Sequence, residues 1–267
     1  MKPMFAKEQL VKHLRDMGVQ TGVVLCAHTS YKAIAPVEGG GSTVVDALLD
    51  AVGPSGTLVL PAFTFSYCKT GRWDRHTTPS EMGVITEDLR TRPGAQRSFH
   101  PIYSFVAIGA RAREYGDCRD ENGVGDGSPF PLLLNHDAII TAMGVGYNQS
   151  FTLGHHIEWQ EGVDYRYLKV FPGEVSDDAV PQPGRYSMLV RDLDKGVVTD
   201  YRKLGYMMEH DGAMRIGRFG WAITRCIRAR EFDRLARQWL RQGVPDLMHR
   251  IDATEVYEEK AVEILSL

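Results

Sequence analysis

Hydrophobic and polar residues follow two different periods along the first sixty residues of the chain. Apolar residues recur at helical spacing within residues 6–17 and again within residues 44–52, and this period predicts two helices. Residues 23–27 and 57–60 are instead short apolar runs next to glycine, which is typical of buried strands. A strand, a glycine-rich loop, a helix and a second strand make a βαβ unit, so the sequence predicts that these two strands are parallel.

The alternation continues less regularly downstream. The patterns predict helices over residues 82–92, 129–134, 152–160 and 231–241, and strands over residues 105–108 and 138–145. Residues 166–170, 187–191 and 197–201 alternate in the manner of antiparallel strands, with residues 192–196 as the turn between the last two. Because no linker divides the chain, we expect a single domain over residues 1–267. Its predicted class is α/β, with a central, largely parallel sheet, flanking helices and an antiparallel C-terminal addition.

Composition narrows the range of partners. The chain has 267 residues, of which 31 are basic and 34 acidic, and this balance argues against nucleic acid because a phosphate backbone requires a basic face. No apolar run is long enough to cross a bilayer, and the N-terminal residues lack the apolar core of a signal peptide. We therefore expect a cytoplasmic protein that does not contact membranes, as a monomer or a homodimer.

The cysteines give no sign of a metal site or of disulfides. They are scattered without paired ligand spacing, which favours buried or incidental thiols in a reducing compartment: Cys26, Cys68, Cys118 and Cys226.

A glycine-rich loop, residues 37–42, lies between the first predicted strand and its helix. Glycines let a ligand approach the backbone, and a helix N-terminus presents free N–H groups to an anion, so the loop is a candidate pyrophosphate cradle. It matches neither the dinucleotide-binding spacing nor the P-loop spacing. A tight connection without any ligand explains the same glycines equally well.

Polar residues also follow directly on the first strand. His28, Thr29 and Ser30 stand at its carboxyl end, the edge at which open α/β sheets bind ligands. The alternative is a capping cluster in which the hydroxyls accept loop N–H groups and the histidine fills a polar pocket.

A histidine and a glutamate share one face of the predicted helix over residues 152–160. His155 and Glu158 lie one turn apart, so the carboxylate can orient the imidazole and stabilise the imidazolium formed when it accepts a proton. A solvated surface pair is the alternative. Metal binding is disfavoured because the neighbouring histidines, His155 and His156, point in different directions.

These segments, taken in order, resemble the aminoglycoside 3-N-acetyltransferase family. No single motif is specific, but the ordered set covers nearly the whole chain. It consists of His28-Thr29-Ser30, Val37-Glu38-Gly39-Gly40, Gly53-Pro54-x-Gly56-Thr57-Leu58-Val59-Leu60-Pro61, Thr78-Pro79-Ser80-x-Met82-Gly83, Arg97-Ser98-x-His100-Pro101-x-x-Ser104, Gly127-Ser128-Pro129, Gly144-Val145-Gly146, Thr152-x-x-His155-x-x-Glu158 and Gly217-x-x-Gly220-x-Ala222-x-x-Arg225.

The resemblance implies acetyl-CoA as co-substrate, no metal, and acetylation of the 3-amino group of an aminoglycoside's deoxystreptamine ring, which confers resistance. His155 would be the general base, with His28, Glu158 and Asp200 as further catalytic residues. An acidic wall for the cationic substrate would be made by Glu158, Asp200, Glu209 and Asp211, with Asp200 the preferred late carboxylate. The implied coenzyme site consists of Thr29, Ser30, Tyr31, Lys32, Val37, Glu38, Gly39, Gly40, Thr78, Ser80 and Ser104.

Three other functions compete with this one. The same acyl transfer could serve another amine, such as a biosynthetic intermediate. A metal-dependent hydrolase would use His28, His100 and His155 as ligands. A ligand-binding module without turnover would give no reason for a histidine–glutamate pair beside a coenzyme loop.

Overall fold

The strands and helices are described by a computed structural model over residues 2–178, 180–195, 197–241 and 248–250. The strands are, in chain order, β1 Val24–Thr29, β2 Thr57–Pro61, β3 Arg72–Asp74, β4 Gln96–Arg97, β5 Phe105–Gly109, β6 Ile139–Met143, β7 Arg166–Asp177, β8 Val180–Arg191, β9 Val197–Thr199, β10 Arg215–Phe219, β11 Ala222–Arg228 and β12 Met248–Arg250. The helices are α1 Lys7–Asp16, α2 Tyr31–Ile34, α3 Gly41–Val52, α4 Tyr67–Thr70, α5 Val84–Thr91, α6 Ala112–Gly116, α7 Pro129–Asn135, α8 Tyr147–Ser150, α9 Leu153–Glu161, α10 Arg202–His210 and α11 Ala229–Arg241, and a 3₁₀ turn spans Leu193–Lys195.

A seven-stranded sheet with the order β10-β11-β6-β1-β2-β5-β4 lies at the centre. Strand β1 pairs in parallel with β2 on one side and with β6 on the other, whereas the outer strands pair antiparallel. The predicted α/β class and the parallel βαβ unit β1–α3–β2 are confirmed. Within this sheet, parallel pairing is confined to the three strands β2, β1 and β6.

Helices cover both faces of this sheet because the strand side chains alternate between two cores. In β1, Leu25 packs with the buried faces of α1, α3 and α5, while its neighbour Cys26 packs with α7, α9 and α11 on the other face. A central strand that is apolar on both faces is typical of a parallel sheet covered by helices. Burial raises the pKa of the Cys26 thiol to about 12, so this cysteine is an inert core residue.

The C-terminal third contains a correction to the predicted hairpin. Strand β8 pairs with β7 through twelve registered positions, from Arg166 opposite Arg191 to Asp177 opposite Val180. The chain therefore turns near residue 178, and residues 192–196 do not join two paired strands; Gly196 lies outside the described residues. Strand β9 pairs with β12 instead. Short alternating segments do not specify their partners, and the long β7–β8 register is what decides the pairing.

The parallel strands end at one edge of the sheet, and β1 is the point at which the strand order reverses. Its neighbours β2 and β6 lie on opposite sides, so the loops that follow β1 and β6 diverge and leave a crevice. None of the helices in the described part of the chain is long and apolar enough to cross a membrane.

Candidate active site

A cleft of about 1300 Å³ lies at the carboxyl ends of β1 and β6. Residues 28–32 form part of its wall, Thr152 just before α9 and His155 within α9 form another part, and the β7–β8 hairpin contributes Tyr167 and Arg191. The site is therefore built where strand topology in an open α/β sheet favours ligand binding.

His155 is held at the cleft by bonds to one edge of its ring. Its Nδ1 atom lies 3.2 Å from Glu158 Oε2, one helical turn away, and 2.7 Å from the hydroxyl of Tyr201. The Tyr201 hydroxyl also donates to Glu158 Oε2 at 2.9 Å. Since Nδ1 is occupied, Nε2 on the opposite edge of the ring is the nitrogen that can accept a proton from a ligand in the cleft.

Glu158 lies behind His155 and is completely buried. Arg166 Nε is 2.6 Å from Oε2, and the Tyr165 hydroxyl donates to Oε1 at 3.2 Å. Burial alone would raise the pKa of this carboxyl, but the charge of Arg166 and the hydrogen bonds from His155 and Tyr201 hold the pKa below its usual value. Glu158 is therefore a charged group that contacts other protein side chains and does not line the cleft.

The imidazole of His155 is neutral at neutral pH. Burial lowers its pKa, the charge of Arg166 lowers it further, and Glu158 opposes both effects. A neutral imidazole with Nδ1 bonded to protein is the form that a general base requires.

His28 lies in the cleft beside the start of α9. Its Nε2 atom is 3.2 Å from the hydroxyl of Thr152, and burial lowers its pKa to about 4. Its ring is therefore neutral and fixes a hydroxyl that also lines the cleft. His28 and His155 both line this cleft, as the sequence suggested. His28 contacts Thr152, the residue just before the helix that carries His155.

The four residues that follow His28 line the cleft as expected for a coenzyme site: Thr29, Ser30, Tyr31 and Lys32. The Ser30 N–H donates to the carbonyl of Met143 at the end of β6, which ties the loop to the neighbouring strand. Helix α2 begins directly afterwards at Tyr31.

The glycine loop lies behind this wall and does not line the cleft. Val37 pairs with Phe5 in an isolated bridge, and the Glu38 N–H donates to the carbonyl of Phe5. Gly39 and Gly40 have φ values of 72° and 75°, which favour glycine. In the structure, these residues make the tight connection into α3, which was the alternative explanation of the glycines.

The expected hydroxyl ligands at residues 78, 80 and 104 also lie outside the cleft lining. Ser104 is fully buried, donates to the carbonyl of Ala62 and accepts from Arg97. Thr78 accepts the N–H of residue 74, and Ser80 accepts the N–H of residue 82. Each hydroxyl satisfies a nearby protein group, a common use of short polar side chains in loops.

The late carboxylates of the expected acidic wall also bond to neighbouring protein groups. Asp200 is buried and binds Arg202 at 2.7 Å and 3.0 Å, Glu209 binds Arg225 at 2.7 Å and also accepts from the Tyr147 hydroxyl, and Asp211 contacts His210. None of these three lines the cleft. Among the described residues, the carboxylates that do line it are Glu81, Asp192 and Asp194, and the cations Lys32, Arg166, Lys169 and Arg191 line it as well.

The three histidines proposed for a hydrolase do not form a metal site. His100 is buried, and its Nδ1 accepts the N–H groups of Ile102 and Tyr103 in the turn that directly follows it. Among the residues that the structure describes, the one group with metal-ligand spacing is exposed and lies elsewhere, at His76, Asp177 and Asp178. Asp177 in that group is already bonded to Arg75 and Arg119.

The two deeply buried histidines predict acid sensitivity. Burial lowers the pKa of His100 to about 3 and that of His28 to about 4. Below the ordinary histidine pKa, these two side chains bind protons in the unfolded chain but not in the folded protein. Their contribution to the free energy of unfolding is therefore fully present at neutral pH and is lost as pH falls. For each histidine we expect the free energy of unfolding to fall by about 1.4 kcal/mol per pH unit below about pH 6.5.

Urea unfolding between about pH 7 and about pH 5 measures this slope before most carboxylates begin to titrate. His210→Ala provides the control, because this exposed side chain lies outside both buried positions and its removal should leave the urea midpoint at neutral pH unchanged. A free energy of unfolding that stays constant over this range would contradict the prediction.

Sequence reasoning missed the residues that complete the site around Glu158. Arg166 and Tyr165 belong to the start of the hairpin, and Tyr201 immediately follows Asp200, the carboxylate that the resemblance preferred. No local spacing links these residues to α9. The closest signal was the position of Tyr201 next to a favoured acidic residue.

Comparisons with known proteins agree with this architecture. The family model described as aminoglycoside 3-N-acetyltransferase matches residues 26–241. Aminoglycoside N(3)-acetyltransferase III from Salmonella sp is 33% identical over 174 residues, which cover 58% of this chain and 60% of the relative, so the match spans less than two thirds of that protein.

Two solved structures share the fold. The structure titled AAC-VIa bound to Sisomicin has a TM-score of 0.80 and 25% identity and covers 90% of this chain and 98% of its own. The structure titled AAC-IIIb binary with CoASH has a TM-score of 0.80 and 22% identity and covers 90% and 97% of the two chains. With a family model that matches most of its length, this chain belongs to the aminoglycoside 3-N-acetyltransferase family.

Proposed function

We propose that this protein transfers the acetyl group of acetyl-CoA to an amine of an aminoglycoside, namely the 3-amino group of the deoxystreptamine ring, and thereby confers resistance. The observation that carries the proposal is a neutral His155 in the cleft, held through Nδ1 by Glu158 and Tyr201. The family membership and the aminoglycoside and coenzyme named for the similar structures support it.

The histidine supplies the step that the substrate needs. An amine attacks a thioester only when its nitrogen is neutral, yet amines of this kind are largely protonated in water. His155 Nε2 accepts one proton of the ammonium group, and the neutral amine nitrogen then bonds to the acetyl carbonyl carbon. As the carbon–sulfur bond breaks, the departing thiolate takes a second proton from that nitrogen, so coenzyme A leaves as its thiol and the new amide keeps one N–H. General bases of this kind accelerate reactions by about 10²–10⁴-fold.

The acetyl group passes directly from sulfur to nitrogen in this proposal. Within the described residues no cysteine lines the cleft, and burial raises the pKa of Cys26 and Cys226 to about 12. Thr29, Ser30 and Thr152 line the cleft, and their hydroxyls are candidate donors to the developing oxyanion.

Charges in the cleft divide between the two substrates. Lys32 follows the strand end and offers a cation to a phosphate of the coenzyme. Asp192 and Asp194, at the end of the hairpin, offer carboxylates to ammonium groups of the acceptor.

We assign residues 1–267 to one domain and place the reaction in the cytoplasm, where acetyl-CoA is available.

The mixture of cations and carboxylates in the cleft also favours a second candidate, acetylation of an amine with fewer positive charges. A cleft for a polycation would be lined mainly by acids, whereas here Lys169 and Arg191 lie on the same wall as Asp192. The reaction is the same, and the acceptor alone differs.

Release of free thiol from acetyl-CoA, measured with a panel of aminoglycosides and of simple mono- and diamines, tests both candidates. We expect turnover with aminoglycosides and a single acetylated nitrogen by mass spectrometry and NMR. Release without any acceptor would indicate hydrolysis and would contradict acyl transfer. A clear preference for the simple amines would select the second candidate.

The acid limb of the rate profile gives a further prediction. Because burial lowers the pKa of His155, we expect kcat/KM for acetyl-CoA, at saturating acceptor, to lose activity only below about pH 6.5, the usual histidine value. Protonated His155 cannot accept a proton, so activity falls as pH falls. A midpoint at or above about pH 7 would mean that the imidazolium is stabilised in the site, against the expectation.

A further inference from the structure

Tyr201 lies between the two residues that form the base. Its hydroxyl is 2.7 Å from His155 Nδ1 and 2.9 Å from Glu158 Oε2, whereas the direct distance from Nδ1 to Oε2 is 3.2 Å. The stronger contact of the imidazole is therefore with the tyrosine. The glutamate acts on the imidazole largely through the Tyr201 hydroxyl.

The surrounding structure holds the Tyr201 ring in this place. Tyr201 is fully buried, and its backbone N–H donates to Asn148 Oδ1 at 2.8 Å, just before α10 begins. On α9, residue 154 is glycine, and a Cβ at that position would lie only 3.0 Å from the Tyr201 ring. Gly154 thus makes room for the ring directly beside His155.

The donor and acceptor in each hydrogen bond of Tyr201 follow from the protonation states of the three groups. Burial and the charge of Glu158 raise the pKa of Tyr201 well above its usual value, so the phenol keeps its single proton. An ionised carboxylate only accepts, so this proton goes to Glu158. The tyrosine oxygen must then accept, and the group that donates to it is the Nδ1–H of His155.

We propose that Tyr201 is a positioning residue, whose hydroxyl fixes His155 in the Nδ1–H tautomer and separates its ring from the charge of Glu158. The inference rests on the proposed function, in which His155 Nε2 accepts the proton of the acceptor amine. Tyr201 itself touches neither substrate.

The other groups that face His155 come from several elements. Glu158 lies on the same helix, Arg166 opens β7, Tyr165 precedes it, and Tyr103 precedes β5 with its ring centroid 6.5 Å from that of His155. Without the Tyr201 hydroxyl, Nδ1 keeps its contact with the Glu158 carboxylate and loses the shorter contact with the phenol. A direct ion pair raises the pKa of His155, which moves the acid limb to higher pH. The ring also loses its 2.7 Å bond to the Tyr201 hydroxyl and is held less firmly, which lowers kcat.

The test is Tyr201→Phe, with Tyr165→Phe as the matched control. Both remove one buried phenol that donates to Glu158, but only the first removes a contact with His155. For Tyr201→Phe we expect kcat to fall about tenfold or more, KM for acetyl-CoA to stay within about twofold, and the acid limb to move to higher pH. For Tyr165→Phe the acid limb should stay at its wild-type position.

Equal shifts of the acid limb in the two variants would overturn the proposal, because the effect would then belong to Glu158 as a whole. An unchanged kcat and acid limb in Tyr201→Phe would overturn it as well.

A second measurement needs neither turnover nor a variant of Tyr201. Long-range ¹H–¹⁵N NMR of the wild-type protein reports the tautomer of each histidine, and the loss of one set of signals in His155→Gln assigns those of His155. We expect the Nδ1–H form. The Nε2–H form would refute the positioning role whatever the protein acetylates, whereas the Nδ1–H form without acetyl transfer to any amine would refute only the proposed function.

Discussion

Replacing His155 with alanine is expected to lower kcat by about 10²–10⁴-fold, the usual effect of losing a general base. The side chain lies in the cleft with Nδ1 bonded to Glu158 and Tyr201. His28, which also lines the cleft, is a poor replacement because its Nε2 contacts Thr152 and burial lowers its pKa to about 4. Acetyl-CoA binding should be nearly unchanged because the proposed coenzyme wall, residues 29–32, belongs to a different loop. Steady-state kinetics measure the first effect and calorimetric titration of acetyl-CoA the second.

His210→Ala is the matched control, since His210 lies exposed on α10 and outside the cleft lining. It should retain wild-type kcat and acetyl-CoA affinity. If His155→Ala kept more than about a tenth of the wild-type rate, the residue would not be the general base. Thermal unfolding of both variants shows whether a loss of activity comes from a loss of folded protein.

The second large effect is expected at the buried pair of Glu158 and Arg166. Both side chains are almost inaccessible and lie 2.6 Å apart. Removing one charge leaves the other buried without its counter-ion, so Glu158→Gln should lower the free energy of unfolding by about 3–5 kcal/mol. It should also lower kcat, because Glu158 stabilises the imidazolium of His155 through Tyr201.

The double variant Glu158→Gln with Arg166→Met separates these two contributions. Replacing a buried ion pair by neutral groups of similar volume is often close to neutral for stability, so most of the lost free energy of unfolding should return. The rate should not return, because the carboxylate is still missing. Urea unfolding and kinetics on the three proteins test this, and a double variant that regains wild-type kcat would remove Glu158 from the mechanism.

Much of the architecture follows from local patterns. The helix predicted over 44–52 corresponds to α3 at Gly41–Val52, and the strand predicted over 57–60 corresponds to β2 at Thr57–Pro61. Both segments carry a clear apolar period with glycine at their boundaries, and such signals act within a few residues. The partly exposed α10 at Arg202–His210 was not predicted, and residues 197–201 were assigned to a strand that in fact ends at Thr199.

Within the site, the sequence determined the pair of His155 and Glu158, because a spacing of three residues on a helix brings the two side chains together whatever the rest of the chain does. Likewise, the loop after β1 lies at the edge where parallel strands end.

Tertiary structure alone decided which other residues complete the site. Arg166 and Tyr201 reach Glu158 because the β7–β8 hairpin and the segment before α10 pack against α9, and such contacts between distant segments have no sequence period. The tertiary structure also places Ser104, Asp200 and the glycines at 39 and 40 outside the cleft lining. There the Ser104 hydroxyl and the Asp200 carboxylate bond to neighbouring protein groups, because buried polar groups need hydrogen-bond partners.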